Sequence, residues 1–110
     1  MNVIYGDNVK QRGETKLFQQ ATKLLEHALR RSTVPIDVQW DRVEDPNGRT
    51  CYELKLSDWI GSVSTRFTPS ELYSSANLNR RLIRLYGDLL EIRSNHLLET
   101  LLSGSISSEE

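Results

Sequence analysis

Few side chains in this sequence could do covalent chemistry. There is one cysteine, Cys51, and two histidines, His27 and His96. Nucleophilic catalysis needs a serine or cysteine, a base and an orienting group brought together. Neither histidine stands in a nucleophile motif, and the serines at 57, 62 and 64 fall in turn and strand patterns. A zinc finger needs clustered cysteine and histidine ligands, which one cysteine and two distant histidines exclude. Gly48 and Gly61 are isolated turn residues and do not make a phosphate loop. The expectation is a chain that is not an enzyme, with no catalytic residue, no cofactor and no metal.

Three groups could bind rather than react. Asp37, Asp41 and Glu53 would form an acidic patch on one strand face; the plain reading is solvated charge relieved by Lys55. Arg80, Arg81 and Arg84 open the last helix, Arg80 and Arg84 one turn apart. They are candidate phosphate-binding residues, although a solvated face pairing with Asp88 would explain them too. Positive charge at a helix start is locally unfavourable, so the cluster is unusual. Leu97, Leu98, Leu101 and Leu102 are the third group, read either as core or as a partner interface.

The elements that position these groups follow from periodicity. Residues 1–13 read as a loose N-terminal segment, with Val3-Ile4-Tyr5 as a marginal edge strand and Gly6-Asp7-Asn8 as a turn. From Glu14 to Arg31, Leu17, Ala21, Leu24, Leu25 and Ala28 recur with helical spacing, and Phe18 and Leu29 widen the stripe. Arg30 and Arg31 suit the negative end of that helix dipole, and Ser32 to Pro35 ends it. Val34, Ile36, Val38 and Trp40 then alternate with polar residues, the pattern of a half-buried strand. Asp45-Pro46-Asn47-Gly48 fits a three-residue hairpin loop with a glycine bulge. With Asp45 opposite Arg49, Trp40 faces Leu54, Val38 faces Leu56 and Arg42 faces Tyr52. The apolar sets of both strands then lie on one side; a loop of two or four residues would mix the faces.

A third strand is expected over Ser62–Phe67. Thr68-Pro69-Ser70-Glu71 is a capping box with proline at the first helical position. It predicts a short helix over 69–75 and a fresh start near Asn77. The last helix, 77–102, carries two apolar stripes: Leu78, Leu82, Leu85, Leu89, Ile92 and Ile83, Tyr86, Leu90, Leu97, Leu101. The serine-rich stretch 103–110 is expected to be disordered.

The fold class is α+β, in the order α-β-β-(β)-α: a single domain over 14–102, a small antiparallel sheet with both helices on one face, and a long C-terminal helix. With 110 residues, 37% hydrophobic and 26% charged, the composition is that of an ordinary globular domain. No segment reads as a signal peptide or membrane span, and the lone cysteine suits a reducing compartment, so a cytoplasmic location and no membrane partner are expected.

The charge is uneven. Residues 14–32 and 77–93 each carry four basic against two acidic side chains, whereas 34–60 carries six acidic against three basic. A helix over 77–102 would be about 39 Å long at 1.5 Å per residue, while six-residue strands span only about 20 Å. Its distal half must overhang the sheet, and exposed leucines there call for cover. The first functional expectation is therefore a non-enzymatic protein–protein interaction or assembly module, homodimeric through the C-terminal helix or holding an unidentified protein partner.

The alternative is nucleic-acid binding. The order α-β-β-β-α with both helices on one sheet face resembles the topology of double-stranded-RNA-binding domains, which read A-form shape with basic residues at the start of the second helix. The resemblance covers topology and puts Arg80, Arg81 and Arg84 in the comparable place. The chain departs from those domains in lacking a lysine-rich run there, in its short acidic β-turn, and in its net charge of −1.

Overall fold

The structure is a computed structural model that describes residues 1–30 and 35–109. In chain order it contains strand β1 (Asn2–Tyr5), helix α1 (Asp7–Gln11) and a 3-10 segment (Glu14–Phe18) that leads into α2 (Gln19–Leu29). Strands β2 (Asp37–Glu44), β3 (Thr50–Ser57) and β4 (Ser62–Phe67) follow, then a 3-10 turn (Glu71–Tyr73) and α3 (Ser75–Glu109). The sheet order is β1-β2-β3-β4. The fold is α+β, as expected, with α2 and α3 contributing to the one core cluster built on the sheet.

The β2–β3 hairpin has the expected register: Trp40 pairs with Leu54, Val38 with Leu56 and Arg42 with Tyr52. Local chemistry explains why. The Gly48 N–H donates to the Asp45 carbonyl at 2.9 Å. Asp45 Oδ1 accepts the N–H groups of Asn47 and Arg49. Gly48 takes φ +78°, a left-handed conformation open to glycine at little cost. β4 pairs antiparallel with β3, setting Val63, Thr65 and Phe67 opposite Leu56, Leu54 and Tyr52.

The edge strand read at Val3–Tyr5 forms, but Asp7–Gln11 is helical where a turn was expected, and the strand's pairing differs from the expected antiparallel sheet. Residues 2–5 form a strand parallel to β2, with Val3 opposite Val38 and Tyr5 opposite Trp40, so the sheet is mixed rather than antiparallel. The Gly6 N–H donates to the Trp40 carbonyl at 2.8 Å. Val9 of α1 is fully buried. A parallel pairing needs a long crossover; the helical run from α1 to α2 supplies it. These contacts join residues more than thirty positions apart, which is why local pattern read the segment as loose.

In the first helical region the buried face is one edge of the expected stripe, and Glu14–Phe18 is 3-10 rather than α-helical. Phe18, Ala21, Leu25 and Leu29 are buried, all four within the expected stripe. Phe18 stacks on Trp40 at 4.4 Å between ring centroids. Leu24 is left half-buried and Ala28 exposed. Arg31, Ser32 and Val34, read above as the helix end and strand start, lie outside the described residues.

The capping box forms as expected: the Thr68 N–H donates to Glu71 Oε1 at 2.9 Å and the Glu71 N–H to Thr68 Oγ1 at 3.4 Å. α3 begins at Ser75 rather than Asn77 and is helical through Glu109, beyond the expected end at 102 and into the stretch read as disordered. Its first stripe, Leu78, Leu82, Leu85 and Leu89, joins the core; Ile92 does not.

Candidate functional site

The site is built on α3, and its placement is set by two arginine anchors. Arg81 turns toward the sheet. Its guanidinium donates to Glu71 at 2.6 Å, to Thr65 Oγ1 at 2.8 Å and to the Arg66 carbonyl. It also lies 4.1 Å from the Phe67 ring centroid, a cation–π contact. The Thr68 backbone N–H, outweighing burial, and Arg81 hold the Glu71 carboxyl below its ordinary value.

The second anchor is Arg93 on Asp58 in the β3–β4 turn. Asp58 Oδ1 accepts the Ile60 and Gly61 N–H groups at 2.8 and 3.0 Å. Oδ2 accepts Arg93 Nε and Nη2 at 3.2 and 2.9 Å. The Asp58 side chain has no solvent exposure. Burial pushes its carboxyl up, but the Gly61 N–H, Arg93 and the Ile60 N–H together hold it below its ordinary value. A Cβ on Gly61 would come within 3.1 Å of Ile92 Cγ2, so a glycine lets the turn approach the helix closely. Trp59 then stands edge-on to His96, 5.6 Å between centroids. The Asp-x-x-Gly pattern at 58–61 was the sequence signal for this turn; its partner thirty-five residues on carried none.

Past His96 the helix leaves the body, and the molecule measures 58 × 30 × 22 Å. Leu97, Leu98, Leu101 and Leu102 are all exposed there, at 54 to 67%. Two of them continue the second stripe. Ile83, Leu90 and Leu97 follow at seven-residue spacing and Leu101 lies one turn beyond, all exposed. This line runs about a third of a turn round the helix from the buried one.

Over the body, the same stripe forms one wall of a groove of about 590 Å³, with Leu24, His27 and Ala28 of α2 opposite Ile83, Tyr86, Gly87 and Leu90. Gly87 is notable because an added Cβ would meet nothing within 4 Å. A helix-interior glycine costs about 0.5–1 kcal/mol relative to alanine, and nothing in its own chain requires it.

The other candidate residues are dispersed. Arg80 and Arg84 are exposed, while Arg81 is committed to Glu71. Arg84 and Arg81 share a shallow cleft with Ser64, Thr65 and Asp88, and Arg80 is outside it. His27 and His96 sit on different helices. On the open sheet face the register sets Asp41 directly opposite Glu53. The relief comes from Gln39, donating to Asp41 at 2.9 Å, and from Arg66, 3.3 Å from Glu53, rather than from Lys55. Among the described residues, no group of three acidic, histidine or cysteine side chains could hold a metal ion. No helix among them is long and apolar enough to cross a membrane.

A polar cluster missed in the sequence joins the 3-10 segment to the sheet. Arg42 Nη1 reaches both Glu14 carboxylate oxygens at 2.8 Å, Arg42 Nη2 bonds Thr50 Oγ1 at 3.0 Å, and the Tyr52 hydroxyl donates to Glu14. Burial pushes the Glu14 carboxyl up, yet the Tyr52 and Arg42 hydrogen bonds outweigh it and leave it lowered. Burial and Glu14 push the Tyr52 phenol up to about 12. The cluster ties the 3-10 segment that ends in Phe18, stacked on Trp40, to strands β2 and β3. Compared with protein-family models, with curated proteins and with solved structures, the chain matches none.

Proposed function

We propose that this chain is a non-enzymatic assembly module that forms a homodimer through α3. The observation that carries the reading is the exposed line Ile83, Leu90, Leu97, Leu101, which passes from the body onto the projecting end of the helix. A seam at seven-residue spacing is the pattern by which one helix receives another. A surface of this kind is self-complementary, and isologous pairs are the commonest small assemblies. The net charge of −1 raises little opposition to the approach of two copies.

Sedimentation analysis of the full chain at micromolar concentration tests the reading. A dimer that Leu97→Glu with Leu101→Glu converts to a folded monomer supports it. A wild-type chain that stays monomeric removes it.

The nucleic-acid alternative rests on Arg80 and Arg84, since Arg81 is tied to Glu71. Salt-sensitive retention on a duplex-RNA column would bring it forward.

A further inference from the structure

Resting on the dimer reading above, we propose that the dimer is antiparallel, with the projecting end of each α3 seated in the α2–α3 groove of the other copy. Three observations favour this over a parallel pair. The first is shape. The groove is concave and the projecting helix convex, and both carry the same apolar stripe. A parallel two-fold would set groove against groove and leave both unfilled; an antiparallel one fills both with a single contact. Gly87, on the groove wall, leaves open space where the incoming helix would lie.

The second is length. On α3 the groove runs from Asn79 to Leu90, about 16 Å at 1.5 Å per residue. The helix from Leu97 to Glu109 is about 18 Å by the same rise, so one fits the other.

The third is charge. The first turns of α3 carry Arg80, Arg81 and Arg84 and no acidic residue. From Ser94 to Leu102 the helix carries Glu99 and no lysine or arginine. Antiparallel pairing brings the basic start of one helix to the acidic end of the other, and parallel pairing brings like to like.

Disulfide trapping tests the arrangement. On a Cys51→Ser background, Ala28→Cys protein and Leu101→Cys protein are mixed and mildly oxidised. The expected product is the mixed cross-linked pair, with Leu101→Cys alone failing to link to itself. Self-linking of Leu101→Cys without the mixed product would overturn the antiparallel arrangement, as would a dimer by sedimentation that links in neither way. A monomer by sedimentation would instead remove the dimer reading itself. The wild-type chain gives a second readout. Raising sodium chloride from low to moderate concentration should weaken an antiparallel dimer several-fold, whereas tightening by salt would speak for like charges in contact and against the proposal.

Discussion

Replacing Asp58 separates two tasks that the structure assigns to different oxygens. Oδ1 holds the turn through Ile60 and Gly61, and Oδ2 holds Arg93. Asp58→Asn keeps an oxygen for the turn but presents an amide N–H₂ to the guanidinium. It should cost about 1.5–3 kcal/mol, the value of charge-assisted hydrogen bonds to a buried partner. Asp58→Ala also strands the two backbone N–H groups, and should cost about 3–5 kcal/mol. That is a large share of the roughly 5–15 kcal/mol that holds a domain together. At about 4 °C per kcal/mol for a chain of this size, the melting temperature should fall by about 6–12 °C for asparagine and about 12–20 °C for alanine.

The decisive assay is a double-mutant cycle in urea with Arg93→Met, because it isolates the pair from the turn. A coupling energy of about 1.5–3 kcal/mol is expected. A coupling below about 0.5 kcal/mol, the range of exposed ion pairs, would refute the claim that this contact anchors α3. Arg93 is the last ion-paired residue before the helix leaves the body, so its loss should also raise hydrogen exchange in the amides beyond it.

Other outcomes follow from the same geometry. Glu14, Asp58 and Glu71 all have carboxyls held below their ordinary values. Their contribution is present above the unfolded carboxylate range near pH 4 and is lost as pH falls through the lower folded values, so urea midpoints should be level from about pH 7 to 5 and drop in acid. Tyr52 should ionise late, near 12. Spectrophotometric titration of the folded protein would reveal it as a late step that Glu14→Gln moves toward the ordinary value. Gly48→Ala forces φ +78° on a side chain and should cost about 1–2 kcal/mol in a denaturant melt. Gly87→Ala, with open space for the added methyl, should raise the melting temperature of dilute protein by about 2–4 °C.

The parts of the fold that were legible before the structure are those whose cause is local. The β2–β3 register needed only alternation and one turn: Asp45-Pro46-Asn47-Gly48 admits a single loop length that keeps Trp40 and Leu54 on one side. The Thr68–Glu71 cap needed four residues. The exposed leucines were legible too, because helix length against strand length is arithmetic. Less legible was the phase of α2. Of the broad stripe read there, Phe18, Ala21, Leu25 and Leu29 are buried while Leu24 is half-buried and Ala28 exposed, and periodicity alone does not reveal a shift toward one edge of a broad stripe. That shift leaves Ala28 and half of Leu24 on the wall of the groove.

Alternation, turn chemistry and capping, all carried by neighbouring residues, thus determined the hairpin, the third strand, the start of the helical C-terminus and its surplus of leucine. Tertiary structure alone decided that β1 pairs parallel to β2 and that Asp58 receives Arg93. It also decided that Arg81 is spent on Glu71 and that one of the two stripes of α3 stays in solvent. The pairings among these join residues ten or more positions apart, and such a pairing leaves no trace in the spacing of either partner. Their energies come from burial and hydrogen bonding that exist only once the sheet and both helices have met.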